Sequence, residues 1–344
     1  MQTLLAALDA AYPRGLHLAS WGSALWTGLL SDPGLPFPVR ELREVSWFQT
    51  MLAHPVVKSL LPLPILAIIA PAIWWFFRGT WRDLDAEARA LRAEAGDATD
   101  YRPVAALLIV AVVLTMQEYY GGRQFYDQVL RGWLTGLEPN HPWLKLQKYD
   151  EYYGYCWWSF SRVAGYVFFP FALWKLLFRN DSLLDMGLRT TGFFKHAWIY
   201  GLCLLIVVPA MLVVAQQPDF GSYYPFYKHA SRSWWDLIAW QLIYYAQFLA
   251  LEIFFRGFIL GALKRTMGFA AIFVMAVPYC MIHYGKPYLE AHGAIVAGIV
   301  LGSLAMRTRS IYSGFLLHIS VAFLMDFLSL YKRGVLPTTF WAAG

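Results

Sequence analysis

Charge is scarce in this chain. Only 15% of its 344 residues are Asp, Glu, Lys or Arg, against 58% hydrophobic ones, and the mean hydropathy is +0.44. About a quarter of a soluble domain is charged, so that class is excluded and an integral membrane protein is implied. Cysteine is equally rare: Cys156, Cys203 and Cys280 are the whole complement, each within an apolar stretch. A disulfide framework or a thiolate metal site has no support there, and the three read as small core hydrophobes. There is no continuous basic patch either. The net charge of +6 sits in short loops beside apolar runs, which membrane topology explains and a nucleic-acid partner does not. Internal repeats and low-complexity tracts are absent. The first thirty residues contain Asp9 and Pro13 and lack a basic start followed by an apolar core, so no secretory signal is expected.

What the chain has in abundance is apolar runs long enough to cross a bilayer, for which ~20 residues suffice. They predict an all-α, polytopic membrane helical bundle of about eight transmembrane helices, near 57–77, 103–120, 155–178, 196–217, 236–261, 269–285, 290–306 and 310–331. Pro62, Pro64 and Pro71 predict a kink in the first. The expected organisation is an interfacial or peripheral segment 1–50, N-terminal membrane helices and loops over 51–182, a helical core over 183–331, and a tail 332–344. The only sustained polar run, WRDLDAEARALRAEAGDATDYR, reads as a short amphipathic helix in a loop. Lys and Arg crowd 78–102, 175–195 and the turns at Lys264–Arg265 and Arg307–Arg309. That side is expected to be cytoplasmic, and the compact eight-span layout without eukaryotic targeting signals makes a bacterial cytoplasmic membrane the expected location.

Ionisable residues interrupt the most apolar third of the chain: Glu252 and Arg256 in LALEIFFRGFIL, His283 in VPYCMIHYGKP, and His318 in SGFLLHISVAFLMD. A charge at the centre of a membrane helix costs ~2.5–3.5 kcal/mol on insertion scales, and such residues are functional by default. At ~1.5 Å per residue from the basic turns, Glu252, His283 and His318 share one layer near mid-membrane, with Glu290 and Asp326 somewhat farther out. The bland readings are a structural Glu252–Arg256 ion pair, hydrogen-bonded core histidines, and interfacial carboxylates at Glu290 and Asp326. Gly298 and Gly302 form a GxxxG that predicts a close helix contact. The aromatic, charged stretches QEYYGGRQFYDQ and KYDEYYGYCWWSFSR read as an interfacial belt or a surface that receives a substrate segment.

LEIFFRGFIL, then YCMIH, then SGFLLHISVAFLMD resemble the motif series of the CAAX protease and bacteriocin-processing family, the Abi family of intramembrane endopeptidases. Its pattern is EExxxR, FxxxH and HxxxN or HxxxD on successive membrane helices. The resemblance covers roughly 183–331, including the lead-in DMGLR. It makes Glu252 the second glutamate of the first motif, Arg256 its arginine, and His283 and His318 the motif histidines. Leu251 stands where the family has its first glutamate, Tyr279 replaces the phenylalanine, and Ala322 replaces the Asn or Asp. Adjacent helical positions differ by ~100°, so Glu252 can take over from Leu251 only if the helix rotates or unwinds locally.

What the resemblance implies is peptide hydrolysis at or near the membrane without a serine or cysteine nucleophile and without a cofactor. A carboxylate activates water, and imidazole supplies oxyanion stabilisation and proton transfer. The expected catalytic residues are Glu252, His283, His318 and Glu290, with Arg256, Asp326 and Tyr279 supporting. Glu290 is the favoured replacement base, since the Gly285–Pro287 turn brings it back toward His283. Zinc held by His283, His318 and Glu252 is the rival arrangement. The expected partners are the lipid bilayer and a peptide or protein substrate. The alternatives are a catalytically silent membrane scaffold, which Leu251 favours, and a transporter with a buried proton relay.

Overall fold

The computed structural model describes residues 54–60, 62–96, 99–215, 220–284 and 288–342, so the expected peripheral segment 1–50 lies outside the described residues. Those residues are helical with no strand among them. The main helices are α1 (Pro62–Ala95), α2 (Arg102–Tyr120), α3 (Leu146–Val163), α4 (Phe169–Leu177), α5 (Ala197–Val214), α6 (Trp234–Glu252), α7 (Leu260–Met267), α8 (Ala270–Met281), α9 (Tyr288–Thr308) and α10 (Tyr312–Lys332). Wide π turns, Ala164–Phe168 and Ile253–Ile259, join α3 to α4 and α6 to α7.

Five helical stretches are long and apolar enough to cross a membrane: Pro62–Ala95, Arg102–Tyr120, Trp234–Met267, Ala291–Thr308 and Tyr312–Lys332. Ala197–Pro209 and Ala270–Met281 are shorter apolar helices. Their outward faces are apolar, as a lipid solvent requires: Ile68, Leu108 and Leu205 are 76%, 64% and 72% exposed. α6, by contrast, is the central helix, and 72% of the apolar window in Trp234–Met267 is buried.

Two local expectations change. The polar run after Arg78 is not a separate loop helix, because α1 continues through it to Ala95. Its Ala, Glu and Arg residues are strong helix formers, and nothing between Phe77 and Arg82 breaks the hydrogen-bond ladder. Of the three prolines expected to kink the first span, Pro62 and Pro64 stand in the first turn of α1 and only Pro71 is interior. A first-turn proline removes an N–H that has no intrahelical partner anyway.

The core gathers around the turn after α6. Phe254, Phe255, Phe258, Ile259 and Leu260 are completely buried or nearly so, and Tyr166 stacks on Phe254 at 4.8 Å, so the two π turns pack against each other. Gly298 and Gly302 meet α8 as the GxxxG predicts: a Cβ on Gly298 would stand 3.1 Å from the Tyr279 ring, and one on Gly302 2.8 Å from Met275 Cε. These pairings also show that α8 and α9 run antiparallel. The DMGLR lead-in wedges beneath this core, with Gly187 at φ +80 accepting the Ile311 N–H at 3.0 Å. Beyond α10 the tail returns to cap α6, where Thr339 and Phe340 carbonyls accept the Trp234 and Trp235 N–H groups at 3.0 Å each.

Candidate active site

Glu252 is the last residue of α6 and the wide turn Ile253–Ile259 starts immediately after it. Leu251 and Glu252 themselves keep regular helical geometry, and the widening falls on the residues that follow them. π turns recur at functional sites because the extra residue re-aims side chains without ending the helix. Here Leu251 faces the main hydrophobic cluster, while Glu252 is directed at α10. Gly314 makes the approach possible, since a Cβ there would lie 2.5 Å from Glu252 Oε2.

Glu252 and Arg256 are both fully buried, with Oε1 3.1 Å from Nη1. His318, one turn beyond Gly314 on α10, brings Nδ1 to 2.9 Å from the same Oε1, and its side chain is 20% exposed. The contacts are at ion-pair distance but oblique: among the described residues, neither Glu252 oxygen, no Arg256 nitrogen and not His318 Nδ1 completes a hydrogen bond. Buried polar groups are normally satisfied, and each exception calls for an explanation, a catalytic role being one.

Tyr279, on α8, is the hub of the group. Its ring covers the guanidinium of Arg256, with Cζ 3.9 Å from the centroid. Its hydroxyl lies 3.5 Å from His318 Nε2, a long contact. Its backbone carbonyl is 2.7 Å from His283 Nδ1. A carbonyl only accepts, so a neutral His283 carries its proton on Nδ1 and presents Nε2 as an acceptor. The Glu252 carboxylate beside Nδ1 favours the same tautomer in His318. Phe248 stacks on the His318 ring at 5.1 Å and 10°, fixing its plane from the α6 side.

The structure therefore unites Glu252, Arg256, His318 and Tyr279, with His283 tied to them through Tyr279. It does not bring Asp326 to this group. Asp326 is 1% exposed and its Oδ2 accepts from Trp240 Nε1 and Gln241 Nε2, both at 2.7 Å, two helical turns along α10 from His318. Ala322, between them, is buried in the aromatic cluster of Trp240 and Tyr244. Glu290 stands in the first turn of α9, and its side chain lies outside the described residues.

Sequence reasoning gave Tyr279 a supporting place only, and missed Gly314 and Phe248. The spacing carried a signal for two of them: Gly314 precedes His318 by one turn, and Phe248 precedes Glu252 by one turn. No three His, Cys, Asp or Glu side chains form a metal-holding group among the described residues. Arg256 places a fixed positive charge against the one oxygen that Glu252 and His318 share.

Comparison with curated proteins and with solved structures yields no match. A family model does match, the one described as Type II CAAX prenyl endopeptidase Rce1-like, over residues 233–324. That stretch holds every residue of the buried group and stops short of Asp326. Over it, the resemblance to the CAAX protease family read from the motif series is shown.

Proposed function

We propose that this protein is an intramembrane endopeptidase of the CAAX protease type. The observation that carries this reading is the fully buried Glu252–Arg256 pair meeting His318 from a second helix, inside the segment that matches the family model. In this reading Glu252 holds the His318 imidazole with its proton on Nδ1, so that Nε2 takes a proton from the attacking water. Carboxylate-oriented imidazole is an efficient proton acceptor near neutral pH. Arg256 pairs with Glu252 and holds it in place, and Tyr279 links the two histidines. His283, half-buried at the end of α8, is positioned to polarise the scissile carbonyl once protonated. Glu290, in the first turn of α9, is the candidate second carboxylate.

The substrate expected by analogy with the family name is a peptide or protein with a prenylated C-terminal segment, or a peptide presented at the membrane without the lipid. A second reading has one specific observation in its favour: Leu251 is packed in the core, and the remaining glutamate is engaged by Arg256. On that reading the chain is a silent scaffold. Incubation of the purified full-length protein in detergent with a quenched peptide library, prenylated and unprenylated, separates the two. Turnover that disappears in Glu252→Gln and His318→Ala supports the peptidase. No turnover from folded wild type across both libraries supports the scaffold. Indifference to chelators is expected on the mechanism above, and chelator-sensitive turnover would move Glu252, His283 and His318 to metal ligands.

A further inference from the structure

A second site stands away from the buried group, where α1 meets the start of α8. Trp74, Arg78, Trp81, Arg82 and Asp85, all on one helical face, enclose a cavity of about 510 Å³ against Phe269 at the start of α8. The wall is aromatic and rigid. Trp81 stacks on Phe269 at 5.6 Å, meets Phe273 edge-on at 5.5 Å, and donates from Nε1 to Ser303 at 3.0 Å. Arg78 lies over the Trp74 ring at 5.5 Å.

The cavity carries a net positive charge, two arginines against one carboxylate. Among the described residues neither Arg78 nor Arg82 forms an ion pair, and the one carboxylate in the wall, Asp85, is engaged in accepting the Phe269 N–H at 3.2 Å. The cavity on the opposite face of α1 differs. It is lined by Asp83, Arg307 and Arg309 among others, and there Arg309 pairs with Glu87. Two guanidinium groups one turn apart, neither in an ion pair among the described residues, suit the oxygens of a phosphate diester.

The location indicates where such a phosphate comes from. The apolar part of α1 ends at Phe77 and charge begins at Arg78, so the cavity lies at the edge of the hydrocarbon layer, where Trp and Arg anchor. From it an exposed apolar strip on α8, Phe273, Val277 and Met281, runs toward the membrane interior, offering a track for acyl chains. We propose that this cavity binds the headgroup of an anionic phospholipid, with Arg78 and Arg82 on the phosphate and the acyl chains along α8.

Native mass spectrometry of the full-length protein in mild detergent tests this, using phosphatidylglycerol, phosphatidylcholine and inorganic phosphate as probes. Wild type is expected to retain phosphatidylglycerol in preference to phosphatidylcholine, and Arg78→Gln/Arg82→Gln to lose about 30-fold in retention, from ~1 kcal/mol per basic residue at a membrane surface. Arg307→Gln, in the opposite cavity, is expected to retain it as wild type does. Should the double variant fail to fold, each single variant is expected to lose about 5-fold on the same basis. Equal retention by the arginine variants, or equal retention of phosphatidylcholine, overturns the proposal. Displacement by inorganic phosphate as effective as by phosphatidylglycerol overturns the lipid source and leaves a free phosphate site.

Discussion

Arg256 and Glu252 show how differently one contact weighs on stability and on activity. Removing one member of a buried ion pair leaves an uncompensated charge and costs about 3–5 kcal/mol, whereas replacing both with apolar groups is often neutral. Arg256→Ala is therefore expected to lower the melting temperature sharply. The double change Glu252→Leu/Arg256→Met is expected to restore it and to remain inactive, which thermal unfolding and peptide cleavage measure side by side. His318→Ala, at a partly exposed position, is expected to leave the melting temperature nearly unchanged and to cut turnover by about 10²–10⁴. Tyr279→Phe keeps the ring over Arg256 and the backbone bond to His283, and loses the long hydroxyl contact to His318. A loss of less than about tenfold is expected for so weak a hydrogen bond. A much larger loss, with folding intact, would make the hydroxyl a direct participant in the reaction.

At the scale of elements, the site depends on two backbone features. The first is the wide turn Ile253–Ile259, which begins directly after Glu252 and carries Arg256 back to that carboxylate, while Leu251 packs in the core and Glu252 meets α10. The second is Gly314, whose missing side chain leaves room for the carboxylate. Alanine is the better helix former by about 1 kcal/mol, yet its Cβ would stand 2.5 Å from Glu252 Oε2, too near for any real contact. Gly314→Ala is thus expected to displace Glu252 and abolish turnover, with a net stability change of about 1–2 kcal/mol after the propensity gain offsets part of the overpacking. Cleavage assays and melting curves on the same sample distinguish this from the opposite result, an active and more stable Ala variant, which would show that α10 can retreat. The motif residues were legible from sequence because a buried charge in an apolar run is conspicuous. The turn and the glycine were not, since a π turn has no compositional signature and a helical glycine reads first as a weak packing position.

For the whole molecule, the arrangement of a central α6 inside a ring of lipid-facing helices follows from burial. α6 and its extension bury 72% of their apolar window, α1 only 6%. At the helix ends, ion pairs tie neighbouring segments, as where Arg102, the first residue of α2, holds Asp181 in the loop after α4 with two bonds of 2.8 Å. The hydrogen bonds from Arg102 keep the Asp181 carboxyl below its usual range. A depressed folded-state pKa means that the unfolded chain binds the proton first, so this contribution is present at neutral pH and lost as pH falls below about 4 through the folded value. Asp181→Asn is expected to lower stability by about 1–2 kcal/mol at pH 7 and to flatten the acid limb of the melting-temperature profile. An unchanged acid limb would place the acid sensitivity elsewhere.

Composition and hydropathy alone determined that this is a helical membrane protein, because long apolar runs of helix-forming residues have one solvent and one secondary structure open to them. Spacing alone determined that Arg256 can reach Glu252, since residues four apart on a helix are neighbours, and that Gly298 and Gly302 mark a close contact. Tertiary structure alone decided which carboxylate the imidazole of His318 meets, that Asp326 belongs with Trp240 and Gln241 instead, and that Tyr279 joins the two histidines. Those are relations between helices, and they depend on how far each helix is rotated and how closely it is approached. Neither quantity has a local imprint in a sequence: both are settled only when the apolar faces pack and a glycine or an extra residue in a turn permits one arrangement over another.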